Sequence, residues 1–210
     1  MSRKIIDPVP DDILQADLKS LCETALNCGA TDAKIITASQ VVIDERVRAK
    51  CMNPNCSRYG TNADCPPHAP DLDFVRRIVD NFHYGILIMT RYPKEDFDGL
   101  YNDAPKNKDA LGSRKIIDQV EGQAFNFGYY LALGFADGPC KARFCADVEC
   151  ASLQGKGCRM GTKARSSMES WGMDAFLMAT RVGWDVYPIG VKTKTDEVPH
   201  RVKLGLVLVY

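Results

Sequence analysis

The sequence lacks the apolar segments that take a protein into or across a membrane. No stretch of its 210 residues approaches the roughly 20 consecutive apolar residues that span a bilayer. Asp7 and Pro8 interrupt the N-terminal residues before an apolar run of signal-peptide length can form. We therefore expect a cytoplasmic protein that does not act on membranes.

An excess of charge of either sign is also missing. Lys and Arg number 27 and Asp and Glu number 27, which gives a formal net charge of zero. Nucleic-acid-binding domains usually carry a basic excess, so we expect no nucleic acid partner. Apolar residues at 45% and charged residues at 26% are typical of a globular protein. The length fits one domain over residues 1–210.

Several catalytic signatures are absent. The chain has no phosphate-binding P-loop, no G-x-G-x-x-G after a strand and no H-E-x-x-H. Its three histidines leave little for a histidine-based hydrolase. The cysteine spacing of radical SAM enzymes, with gaps of three and two residues, is missing as well. The sequence therefore leaves open whether the protein is an enzyme.

The apolar periodicity predicts an α/β chain of α+β type, with a mixed sheet of about four strands and helices packed on it. Asp11 should open the first helix and Gly29 should end it, whereas Asp71 should cap the second. Ser166 and Glu169 have the spacing of a capping box for a later helix. The further predicted elements are strands at 33–43, 84–92, 184–189 and 202–210, helices at about 113–133 and 167–182, and a polar surface segment at 93–112.

Two segments, at residues 46–70 and 138–163, show no such periodicity and contain most of the cysteines. The first holds Cys51, Cys56 and Cys65 with gaps of four and eight residues. The second holds Cys140, Cys145, Cys150 and Cys158, with gaps of four, four and seven residues. In a reducing cytoplasm this density indicates metal or redox chemistry rather than disulfides. We predict that these seven cysteines are metal and cofactor ligands that fix two loops lacking a core.

The spacing favours an iron–sulfur cluster over zinc. Structural zinc sites usually pair cysteines two to four residues apart, and neither group contains a two-residue gap. Cys₄ iron–sulfur sites use more varied spacings, including a four-residue first gap and a cysteine followed by proline, as at Cys65 and Pro66. We expect one or two clusters per chain, of the [4Fe–4S] type, with zinc as the alternative.

The second group offers four thiolates, whereas the fourth ligand of the first group is open. His68 lies close in sequence, and Cys22 and Cys28 lie on or after the first helix. Cys22 has apolar neighbours, which also fits a small residue packed in the core. A further alternative is a cluster with one open iron position, filled by water, substrate or a partner.

Basic residues surround both groups and would favour thiolates over thiols. Those near the first group are Arg46, Arg48, Lys50 and Arg58, and those near the second are Lys141, Arg143, Lys156, Arg159, Lys163 and Arg165. Solvated loop cations are an equally ordinary interpretation of the same residues.

Three stretches of the chain resemble a cysteine-rich family described as predicted metal-binding proteins, a domain of unknown function. They are IDERVRAKCMNPNCSRYGTNADCPPHAP at 43–70, FNFGYYLALGFADGPC at 125–140 and ARSSMESWGMDAF at 164–176, together with the cysteines between the last two. The resemblance implies that the seven grouped cysteines recur in the family. It also implies an anaerobic bacterial or archaeal setting rich in iron–sulfur, one-carbon and corrinoid chemistry. The family pattern typically has proline where Ser167 stands here.

Three functions fit these residues. The first is electron transfer, or a redox accessory role in anaerobic metabolism, with a redox partner protein. The second is an enzyme that uses an open-coordination cluster at the three-cysteine group, with Arg58, Tyr59 and His68 placed to orient a ligand. The third is a zinc-stabilised interaction module. The oligomeric state stays open.

Overall fold

The computed structural model describes residues 2–54, 56–93, 112–190 and 193–210. Its centre is a four-stranded sheet with the order β1-β2-β4-β3. The strands are β1 (Asp32–Thr37), β2 (Tyr84–Tyr92), β3 (Leu133–Phe135) and β4 (Arg201–Leu208). All three strand pairs are antiparallel. The predicted α+β class with about four strands is confirmed, and the pairing is antiparallel throughout rather than mixed.

Six α-helices occur in the described part of the chain. They are α1 (Asp11–Asn27), α2 (Glu45–Met52), α3 (Leu72–Asp80), α4 (Gly112–Asn126), α5 (Cys140–Phe144) and α6 (Ala175–Arg181). Asp11 is the first residue of α1, as predicted, and the Asp71 side chain caps α3 by accepting a hydrogen bond from Phe74 N at 2.8 Å. No helix among the described residues is long and apolar enough to cross a membrane.

Helices cover both faces of the sheet. On one face, α1 and α4 pack against β2 through fully buried side chains such as Leu18, Val120 and Ile86. On the other face, α3 and α6 pack through Val75 and Met178 against alternate residues of the same strands. The continuous apolar run of β2 follows from this, because a strand covered on both sides has no solvent-facing row.

The strand predicted at 33–43 is shorter, and a helix follows it. β1 ends at Thr37, where the backbone N–H of Thr37 donates to Gln40 Oε1 at 2.9 Å and starts a 3₁₀ turn. Within the segment predicted to be irregular, α2 begins after Asp44, whose side chain accepts a hydrogen bond from Arg46 N at 2.7 Å. Capping thus forms a helix that has no fully buried residue and no apolar face.

The helix predicted at 113–133 ends earlier, and β3 begins at the last residue of the predicted range. α4 stops at Asn126, and Gly128 follows with a φ of 97°. Gly134 then lies so close to α4 that a β-carbon there would come within 2.9 Å of Ile117 Cγ2. Glycine at this position therefore allows the short strand to pack against the helix. Residues 94–111 of the predicted polar segment 93–112 lie outside the described residues.

Two predictions near the C-terminus are wrong. The Ser166–Glu169 capping box does not form; instead Ser167 Oγ accepts from Ser170 N at 3.0 Å. A 3₁₀ turn, Glu169–Trp171, precedes α6, and the Asp174 side chain caps that helix. Residues 184–189 form no strand, because Trp184 packs into the core and its Nε1 donates to Asp32 Oδ2 at 2.8 Å. β3 is the fourth strand.

Candidate metal centres

The first cysteine group lies at the end of α2 and in the turns that follow. Cys51 is in the last turn of the helix, and its carbonyl oxygen accepts from Cys56 N at 3.0 Å. Cys65 N donates to Asn62 O at 3.4 Å, and the Cys65 carbonyl accepts from His68 N and Ala69 N at 3.0 and 3.1 Å. Backbone hydrogen bonds thus fold the segment back on itself without an apolar core.

The three thiols of the first group are electrostatic neighbours. Burial raises the pKa of Cys51, and the charges of Cys56 and Cys65 raise it further. Burial also raises the pKa of Cys65, which is 9% exposed, while Cys56 lies at the surface. The structure therefore brings all three predicted ligands of this group into one neighbourhood.

The second cysteine group surrounds a single small cavity. Cys140, Cys145, Cys150 and Cys158 all line this cavity, which has a volume of about 20 Å³. The segment is closed at its base, where Ala136 N donates to Ser166 O at 2.9 Å. Four residues spread over 19 positions of sequence thus line one cavity.

Cys140 and Cys150 of the second group differ in the direction of their pKa shifts. Burial raises the pKa of Cys140 far above its ordinary value, and the adjacent Asp64 carboxylate adds to the rise. For Cys150, burial acts in the same direction, but hydrogen bonding from nearby backbone groups outweighs it and lowers the pKa. These backbone groups belong to Ala63, Ser152 and Leu153. Asp64 and Ala63 come from the first cysteine segment.

Some cations of the second segment bond to its backbone or to a neighbouring helix. Lys141 Nζ donates to Val148 O and Arg159 Nη1 to Glu149 O, both at 2.6 Å. Arg165 forms ion pairs with Asp118, at 3.1 Å, and with Glu121 of α4. The predicted cationic surroundings are present. Lys141 and Arg159 stabilise the segment, which has no apolar core, by donating to its carbonyl oxygens.

Cations near the first group act in two ways. Arg48 Nη1 donates to Pro70 O at 2.8 Å and so joins α2 to the end of the segment. The charge of Arg48 also favours the thiolate of Cys51, and that of Arg58 favours the thiolate of Cys65. Arg46, in contrast, pairs with Asp44 at 2.6 Å on the surface.

All nine cysteines are free thiols. Among the described residues, no three His, Cys, Asp or Glu side chains already stand in the spacing of a ligand set around one ion. The sulfurs therefore share neighbourhoods without ready-made coordination geometry, and the ligand assignment of the seven cysteines stays a prediction.

The alternatives for a fourth ligand of the first group lie in different surroundings. Cys22 packs among the apolar residues between α1 and the sheet, and burial raises its pKa to about 11. The first group lies elsewhere, because α2 contacts the turn that contains Trp171, on the opposite face of the sheet. Cys28 is exposed at the end of α1, and His68 is exposed one turn after Cys65. Of the three, His68 is the one the backbone places beside the group.

A buried polar cluster lies beside the second group and could not be recognised from the sequence. Arg114 on α4 is 3% exposed, and its guanidinium donates to the carbonyl oxygens of Asp137 and Gly138. Asp137 also accepts from Ser113 Oγ at 2.6 Å and lies 3.7 Å from Lys203 Nζ. These contacts fix the backbone that leads into Cys140, and only the fold brings them together.

Comparison with protein families agrees with the cysteine arrangement. Residues 34–208 match the model of a family described as "Predicted metal-binding protein (DUF2284)", a domain of unknown function. The chain belongs to this family. The match contains both cysteine groups and every strand of the sheet except the first two residues of β1. No curated protein and no solved structure matches the chain. Membership thus establishes a predicted metal-binding protein and leaves the metal unspecified.

Proposed function

We propose that the protein binds iron–sulfur clusters, of the [4Fe–4S] type, and acts in electron transfer or as a redox accessory. The observation that carries this proposal is the convergence of Cys140, Cys145, Cys150 and Cys158 on one cavity. Four thiols are the complete donor set of a [4Fe–4S] site, and none of their gaps is the two-residue gap common in structural zinc sites.

The residues present fit such a group chemically. The four thiols of the second group would hold one cluster, and Cys51, Cys56 and Cys65 would hold a second with one further ligand. A bound cluster supplies one-electron transfer at a potential that its surroundings set. Backbone N–H groups near Cys150 and the charge of Arg114 near Cys140 stabilise negative sulfur, which is the contribution of the chain.

The surface around the second group suits an acidic redox partner. Lys156 and Lys163 are exposed on this segment, as is Arg159, and two acidic side chains, Asp147 and Glu149, lie among them. Complementary charge accelerates encounter with a protein of opposite sign and weakens as salt is added. We propose that a small acidic electron carrier docks here.

Anaerobic purification followed by metal and sulfide analysis tests the cluster. The proposal predicts iron and acid-labile sulfide in equal amounts, with about four of each per filled site, and an electron paramagnetic resonance signal after reduction. Cys158→Ser should remove the signal of the second site, whereas the matched variant Cys28→Ser should leave it unchanged. Stoichiometric zinc without iron or sulfide would contradict the proposal.

One observation favours a zinc-stabilised module as a second candidate. A cavity of about 20 Å³ is the size of roughly one water molecule, which suits a single ion better than a cubane cluster. This candidate predicts one zinc per four-cysteine group, no visible absorption and no redox activity. The same anaerobic preparation separates the two candidates, because only a cluster contains labile sulfide.

A further inference from the structure

A single turn, residues 62–65, belongs to the first cysteine segment but also lines the second site. It is bonded internally: Asp64 N donates to Asn62 Oδ1 at 3.1 Å and Cys65 N donates to Asn62 O at 3.4 Å. Asn62 is 1% exposed, which is unusual for an amide side chain in a segment without its own core. These bonds join the turn to Cys65.

The same turn contacts the second group at several points. Asn62 lines the cavity that the four cysteines of that group share. Asp64 lies beside Cys140, and its Oδ1 accepts a hydrogen bond from Ser166 Oγ at 3.2 Å. The backbone N–H of Ala63 lies beside Cys150. Each central residue of the turn thus faces the second site, while Cys65 at its end belongs to the first.

We propose that the turn at residues 62–65 couples the two cysteine groups, so that metal bound at one raises the affinity of the other. This inference rests on the metal-binding part of the proposed function and holds for zinc as for iron. Asn62 and Asp64 are its positioning residues, since they act through the cysteines that they hold.

Chain ordering gives the coupling a physical basis. Neither segment has an apolar core, so metals bound on either side of the turn would complete its ordering. Fixing the backbone of a residue costs conformational entropy. Binding of the first metal orders the turn at residues 62–65, so the second metal binds to a turn that is already ordered. Linkage then requires the effect to be equal in both directions.

Cobalt titration of the metal-free, reduced protein tests the coupling without any activity assay. Thiolate-to-cobalt absorption reports each site, and Cys56→Ser and Cys158→Ser, both at exposed cysteines, disable one site each. We expect Cys56→Ser to weaken cobalt binding at the second group by about tenfold, or about 1.4 kcal/mol. Cys158→Ser should weaken binding at the first group by the same factor.

A variant of the turn separates coupling from simple loss of structure. In an Asp64→Asn background, Cys56→Ser should no longer change the affinity of the second group, whereas the matched exposed variant Asp147→Asn should leave the tenfold effect intact. Circular dichroism confirms folding of each variant. Affinities that are independent within twofold in the wild-type background would overturn the coupling alone. Cobalt bound at neither group would overturn the coupling, whereas the proposed function fails only if anaerobically purified protein lacks iron and labile sulfide.

Discussion

The sheet and the cysteine segments are stabilised in different ways. The sheet has apolar side chains buried on both faces, with Leu18 and Leu206 at 0% exposure. The segment from Cys140 to Cys158 has Ala151 as its one buried apolar residue and holds together through hydrogen bonds from Lys141 and Arg159 to carbonyls. Packing should therefore preserve the sheet without metal, whereas the segments should need it. The predictions below test this division.

Metal removal should have the largest effect and should act on the segments alone. Treatment of the purified protein with a strong chelator should raise amide hydrogen exchange across residues 140–163 by about 100-fold or more, because the ordering of these loops depends on ligation. Exchange in β2 should change little. Hydrogen–deuterium exchange with mass spectrometry measures both regions at once. Equal loss of protection in β2 would show that the sheet also depends on metal.

A core substitution should show the reverse pattern. Leu18→Ala removes a fully buried side chain between α1 and the sheet and should lower the free energy of unfolding by about 3 kcal/mol. Metal content per folded chain should stay the same. Chemical denaturation gives the first quantity and elemental analysis the second. The exposed control Leu26→Ala should have little effect on either.

Loss of one thiol in the second group should weaken metal binding with little effect on the sheet. Cys145→Ser should lower the affinity for metal by about 100-fold or more. Mutation of residues that only orient ligands typically costs about 10- to 100-fold, and loss of a ligand itself should cost more. Competition with a chromogenic chelator measures this, and Cys28→Ser serves as the matched control. An unchanged affinity in Cys145→Ser would remove this residue from the ligand set.

The smallest expected effect concerns Cys22, which we assign to the core. Its pKa is raised from 9.0 to about 11 by burial and then by the charge of Asp32. A raised folded-state pKa stabilises the protein below the unfolded value, so this contribution is lost as the pH rises from about 9 to 11. Because the thiol is only partly buried, the loss should be about 1 kcal/mol. Denaturation at pH 8 and pH 10.5 should show a smaller pH dependence in Cys22→Ala than in wild type.

The sequence revealed those parts of the molecule that depend on local patterns. The two-sided burial of β2 and the cap at Asp71 follow from nearby residues and were predicted correctly. The two cysteine groups were also recognised from local spacing, because short gaps cost little loop-closure entropy, and their role as ligands stays a prediction. These features need no knowledge of how distant segments meet.

The remaining features depend on tertiary contacts that local patterns do not contain. β3 exists because Gly134 allows close contact with Ile117, which no periodicity reveals. Trp184 lies in a segment predicted to be a strand, but it donates a hydrogen bond to Asp32, 152 positions away in sequence. The placement of Asp64 beside Cys140 is likewise invisible until both segments are folded. Strand pairing and the relation between the two sites could therefore not be predicted.

The most direct test of metal binding at the cysteine groups is anomalous diffraction from crystals of anaerobically purified protein. Data collected at the iron and zinc absorption edges would locate each metal and identify its element. We predict iron peaks enclosed by the sulfurs of Cys140, Cys145, Cys150 and Cys158, and by those of Cys51, Cys56 and Cys65. Crystals with no anomalous peak at either group, or with these sulfurs paired as disulfides, would contradict the account.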